Sequence, residues 1–154
     1  MIDNILYAGG IGCVLFTIWL ILFGLGGWVR HVRDKEGKFR KKWNWQGVLG
    51  MTVFAAFLLG VLVWGNLRLQ MLSMEAPGFT LLFLNSFGIF FMIHLYDLIV
   101  IDYLLIVLWH PKLLNLPNTE YYTSIWPHIK GFAKGIPLGL VASGIAAMLS
   151  LFFS

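Results

Sequence analysis

Hydrophobic positions fall into four long runs, at about residues 5–29, 47–67, 79–109 and 132–153. Each is long enough to cross a hydrocarbon core of about 30 Å as an α-helix. The segments between them, 30–46, 68–78 and 110–131, collect most of the charged residues, four of the five prolines and three of the seven tryptophans. This pattern predicts an all-α polytopic membrane protein, a four-transmembrane-helix bundle forming a single domain over residues 1–154.

Composition supports lipid as the solvent. Of 154 residues, 59% are hydrophobic and only 12% charged, and the mean hydropathy is +0.82. A soluble domain of this length cannot bury so much apolar surface. The net charge of +4 is concentrated beside the ends of the runs, where topology and anionic lipid account for it, so nucleic acid is not an expected partner. Segment 30–46 carries seven Lys/Arg, and ten of the eleven basic residues lie in or beside the segments 30–46 and 110–131. The positive-inside rule makes these the cytoplasmic loops of a bacterial inner or plasma membrane protein, with both termini outside. The N-terminus lacks the basic region of a secretory signal, so the first run reads as a retained helix. A single cysteine, Cys13, excludes an intrachain disulfide.

Glycines punctuate the first and last runs. In the first they read as points of close helix approach. In the last, Gly131, Gly135, Gly139, Ser143 and Ala147 recur every four residues, a small-xxx-small ridge suited to a helix contact within the chain or between copies.

The third run is the anomalous one. It carries Asn85, His94, Asp97 and Asp102 among some thirty largely apolar residues. Ionisable groups at membrane depth need a partner or a function. At about 100° per residue, with His94 at zero, Asp97 lies near −60°, Asp102 near +80°, and Asn85 and Tyr103 near 180°. An aliphatic arc at about 220° to 280°, with Ile89, Ile93, Val100, Leu104 and Val107, is expected to face lipid. Asp97 lies about 18 Å from the boundary marked by Trp109, and Asp102 about 10 Å. His94 and Asp97, one turn apart, can share a proton. His94, Asp97 and Asp102 are therefore the candidate proton or cation site.

The second loop adds further candidates. Asp102, Glu120 and His128 are candidate catalytic groups at the cytoplasmic interface, with Lys112 and Lys130 as candidate headgroup-binding cations. Haem ligation would need a second imidazole at membrane depth, and His31, His110 and His128 are all expected in loops. No ligand spacing matches a metal site, and no cofactor is indicated.

The stretches YDLIVIDYLLIVL (96–108), LPNTEYY (116–122) and PHIKGFAKG (127–135) resemble a pattern in uncharacterised small bacterial integral membrane proteins of four helices. There an aspartate pair on a helix precedes a Pro-Gly-Thr-Glu-like loop and a His-x-x-Gly stretch. Asn118 stands at the expected glycine. The resemblance covers about the last sixty residues. It implies that Asp97, Asp102, Thr119, Glu120, His128 and Gly131 form one site at the cytoplasmic end, and it implies no activity.

Three functions fit these features. The first is a small transporter or channel-like protein, proton- or cation-linked through the intramembrane carboxylates and assembled as a homo-oligomer. The second is an integral membrane enzyme acting on a lipid or isoprenoid headgroup. The third is a non-catalytic subunit of a larger membrane complex. Membrane lipids are expected partners in each.

Overall fold

The computed structural model describes residues 1–32, 34, 44–109 and 119–153. Its elements are α1 (Ile2–Leu25), a single turn α2 (Val29–Val32), α3 (Trp45–Leu72), α4 (Phe79–Tyr96), a π-helix (Asp97–Trp109) continuing α4, a turn α5 (Glu120–Thr123) and α6 (Trp126–Leu151). There is no strand among the described residues, and four helical segments are long and apolar enough to span a membrane. The protein is an all-α four-helix membrane bundle.

The helix ends follow local chemistry. α1 stops at Leu25 rather than 29 because Gly26-Gly27 closes it. Gly27 takes φ 68°, its N–H bonds Gly24 O at 3.0 Å, and the Trp28 N–H bonds Phe23 O at 3.1 Å. This is the Schellman arrangement, in which a left-handed glycine satisfies the last carbonyls. The accompanying apolar contact is Trp28 against Phe23, ring centroids 6.2 Å apart. α3 begins at Trp45 because Asn44 Oδ1 caps the Gly47 N–H at 3.0 Å. It continues to Leu72, so LRLQMLSM largely extends the second span. α6 starts at Trp126 rather than 132, with Pro127 in its first turn, where a missing N–H costs nothing. His128 and Lys130 consequently lie on a helix and not in a loop. The segment between α2 and α3 falls almost wholly outside the described residues, as does 110–118.

α4 is the hub. It packs on α6 most extensively, then on α1 and α3. Its packing corrects the expected lipid face at Ile89 and Ile93, while Leu104, further along the same arc, is exposed as expected. Ile89 is 0% and Ile93 4% exposed, both in the core, whereas Leu84, Phe91 and Leu95 on the other side are exposed. Lipid tails are as apolar as leucine, so an aliphatic arc does not distinguish lipid from a neighbouring helix. What selects the buried side here is where α1, α3 and α6 present small residues. A Cβ on Gly12 would meet Ile93, one on Gly65 would meet Ile89, and one on Gly139 would overlap the Phe90 ring.

The ridge on α6 is thus an intramolecular contact along much of its length. Gly135 lies against His94, Gly139 against Phe90, and Ser143 and Ala147 are fully buried. Gly131 has open space where a side chain would go. Gly139→Ala should therefore cost about 1–3 kcal/mol by overpacking. Gly131→Ala should be neutral or stabilising by about 0.5–1 kcal/mol. Thermal unfolding of both variants in detergent micelles checks the contrast.

Candidate functional site

Two polar clusters sit at opposite ends of the bundle. One lies at the end next to the basic 30–46 segment, called the basic end here. The other lies where α1 begins and α6 finishes, called the terminal end.

At the basic end the π-helix, α5 and α6 converge on His128. Its Nδ1 lies 2.8 Å from Asp102 Oδ1, and its Nε2 lies 2.7 Å from the backbone carbonyl of Tyr121. The His128 side chain is 1% exposed and that of Asp102 19%. Tyr121 covers the imidazole at 4.7 Å between ring centroids. α5 is positioned for this by Thr119, whose carbonyl accepts from the N–H groups of Tyr122 and Thr123 at 2.9 and 3.1 Å.

Two contacts of His128 constrain its protons. A backbone carbonyl only accepts, so His128 Nε2 must carry hydrogen. The 2.8 Å contact between Nδ1 and the Asp102 carboxyl then needs a proton of its own. That proton sits either on nitrogen, giving imidazolium and carboxylate, or on oxygen, giving imidazole and carboxylic acid. With one proton fewer, only one of the two contacts could be a hydrogen bond, to Asp102 or to the Tyr121 carbonyl, according to which ring nitrogen kept its hydrogen.

The π-helix shapes what Asp102 can reach. An α-helix sets residues five apart about 140° from one another. An i→i+5 ladder completes a little over one turn in five residues, so Asp97 and Asp102 come much closer to the same side. The π-helix runs for thirteen residues, far beyond the usual single-turn bulge. The projection at 100° per residue therefore fails beyond Tyr96.

His94 belongs to a different contact. Its Nε2 donates to Phe132 O at 3.0 Å, and its ring stacks on Phe132 at 4.5 Å and 14°. Gly135 leaves room for the imidazole, since a Cβ there would collide with it. Pro137 lies nearby on α6, where it removes the N–H donor for Ala133 O and loosens the preceding turn. Next to this contact, Tyr96 OH bonds Thr17 Oγ1 at 2.9 Å and ties the end of α4 to α1.

The candidate residues therefore separate. Asp102 and His128 meet, while His94 is held one turn further along α6. Asp97 is half-buried at the first turn of the π-helix. Glu120 and Lys130 are exposed. Lys112 lies outside the described residues. Among the described residues no three His, Cys, Asp or Glu side chains gather as metal ligands.

The terminal-end cluster was missed by sequence reasoning except for Asn85. Arg68 Nη1 donates to Asn4 Oδ1 at 2.6 Å. Asn4 Nδ2 donates to Gly65 O at 2.8 Å and to Asn85 Oδ1 at 3.0 Å. Asn85 Nδ2 donates to Asn66 Oδ1 at 3.0 Å and to Gly65 O at 3.3 Å. Arg68 also lies 4.0 Å above the centre of the Tyr7 ring. Asn4, Asn66 and Asn85 are all buried. Their common depth was a usable signal: each stands within about two turns of the same end of its run.

No protein-family model matches the chain, and no match is found among curated proteins or among solved structures.

His128→Ala would leave the Asp102 carboxyl and the Tyr121 carbonyl without their donor, an expected loss of about 3 kcal/mol. His94→Phe keeps the aromatic stack and deletes one hydrogen bond, an expected loss of about 1 kcal/mol. Denaturant unfolding followed by helical circular dichroism ranks the two.

Proposed function

We propose that the protein is a small, channel-like membrane transport protein whose basic end is closed by the contact between Asp102 and His128. The single observation that carries this is the double engagement of His128, by the Asp102 carboxyl at 2.8 Å and the Tyr121 carbonyl at 2.7 Å. Together these contacts bind the π-helix to α5 and α6. By charge asymmetry the basic end is placed in the cytoplasm.

If the contact breaks, the π-helix loses a tertiary support. Relaxation to an α ladder would swing Asp102 away from His128. The protein thereby has two arrangements biased by one contact. The titratable groups on the packed elements are Asp97 and Tyr103 on the π-helix, Glu120, Tyr121 and Tyr122 on α5, and Lys130 and Lys134 on α6.

An enzymatic role fits less well. A general base of the Asp–His kind needs its second imidazole nitrogen free for the substrate. In His128 that nitrogen is taken by Tyr121 O.

Osmotic swelling of proteoliposomes tests the proposal with urea, glycerol, chloride and acetate as solutes. Asp102→Ala, which removes the clamp, should raise flux above wild type. Asp102→Asn should keep wild-type flux, because the amide N–H bonds His128 Nδ1. Flux in Asp102→Ala no faster than in protein-free vesicles, or flux raised equally in Asp102→Asn, overturns the assignment.

A further inference from the structure

The terminal-end network has a direction. A guanidinium only donates, so Asn4 must present its oxygen to Arg68 and its nitrogen onward. The Gly65 carbonyl only accepts, which orients Asn85 in the same sense. Each amide accepts on Oδ1 and donates on Nδ2, from Arg68 through Asn4 and Asn85 to Asn66. Successive bonds in such a chain polarise one another. The chain ends at Asn66 Nδ2, which is buried with no partner among the described residues.

Two further buried atoms at this level are also unpartnered, Ser86 Oγ and Ser143 Oγ, and Asn66, Ser86 and Ser143 are each 0% exposed. The α4–α6 register brings the two serines together. Gly135 meets His94 and Gly139 meets Phe90, so the next step of four sets Ser143 opposite Ser86. Ser86 adjoins Asn85, which is bonded to Asn66. The hydroxyls also decline the local option. Thr17, Ser73, Thr123 and Ser150 each donate to the carbonyl four residues back, at 2.7–3.0 Å. Ser86 and Ser143 do not.

We propose that Asn66 Nδ2, Ser86 Oγ and Ser143 Oγ form a binding site for a small hydrogen-bond acceptor, water or a monovalent anion, and that the site rejects cations. The three residues come from three helices, and the bonds Asn85–Asn66 and Gln70–Ser150 O together with the Gly139–Phe90 contact set them at one level of the bundle. The only charge in the network is Arg68, and the acidic residues of that end, Asp3 and Glu75, are exposed. A cation would meet amide hydrogens polarised by a guanidinium. An acceptor satisfies groups whose burial is otherwise costly. The site shares no residue with the Asp102–His128 pair, so it holds whether or not that pair controls flux.

High-resolution diffraction from the full chain in sodium bromide and in rubidium chloride is the direct test. Density within hydrogen-bond distance of the three atoms is expected. A bromide anomalous signal there identifies an anion, and density without one identifies water. A rubidium signal at the site overturns the proposal. So does a site without density in which Ser86 and Ser143 donate to Leu82 O and Gly139 O. An independent arm is the melting temperature of the Ser86→Ala/Ser143→Ala double variant in micelles. An occupied site predicts a fall of about 2–4 °C for each kcal/mol of hydrogen bonding lost. An unchanged or raised melting temperature means that the hydroxyls were unsatisfied, and refutes occupancy.

Discussion

Lipid offers no hydrogen bonds, so every polar group that enters the membrane must find its partner within the protein. Lipid tails also give apolar helices little reason to prefer each other over solvent. These two constraints together account for how the bundle is held. Small residues let α4 approach α1, α3 and α6 closely, with Gly12, Gly65 and Gly139 each receiving an α4 side chain. Polar side chains then tie the helices at either end, through the asparagine chain at one and His128 at the other. The middle of the bundle is apolar, around Leu62, Ile89, Phe90 and Ile93.

The two clusters differ in what they require. The asparagine chain is neutral apart from its Arg68 terminus and is satisfied at every link up to Asn66 Nδ2. It braces α1, α3 and α4. The cluster at His128 instead ties the π-helix to α5 and α6 through one imidazole, held by Asp102 and by the Tyr121 carbonyl.

The spans were legible in the sequence because length and hydropathy determine them. Which side of a span faces a neighbour was not, since Ile89 and Ile93 look the same to lipid and to protein. Helix ends were misjudged where one residue type serves two purposes. Gly26 and Gly27 read as packing residues and act as a cap, and Pro127 reads as a loop residue and opens a helix. That last misreading sets His128 in a loop rather than on a helix, but its grouping with Asp102 is readable from the sequence and the two do meet. Asp102 itself was legible, as a carboxylate at a cost that needed a partner. Nothing in the composition of 97–109 signals a π ladder; it becomes visible only once the tertiary contacts of Asp102 are known.

The π-helix also changes the length of the span. As a regular α-helix, Phe79–Trp109 would measure about 46 Å, well beyond a hydrocarbon core of about 30 Å. A π ladder puts more residues into each turn and so takes up part of that excess, with Trp109 left exposed at its end. Unwinding it to α would lengthen the segment along the membrane normal or force it to tilt. Thin bilayers should thus favour the π form and thick ones the α form. The segment that carries Asp102 would respond to the thickness of its surrounding lipid.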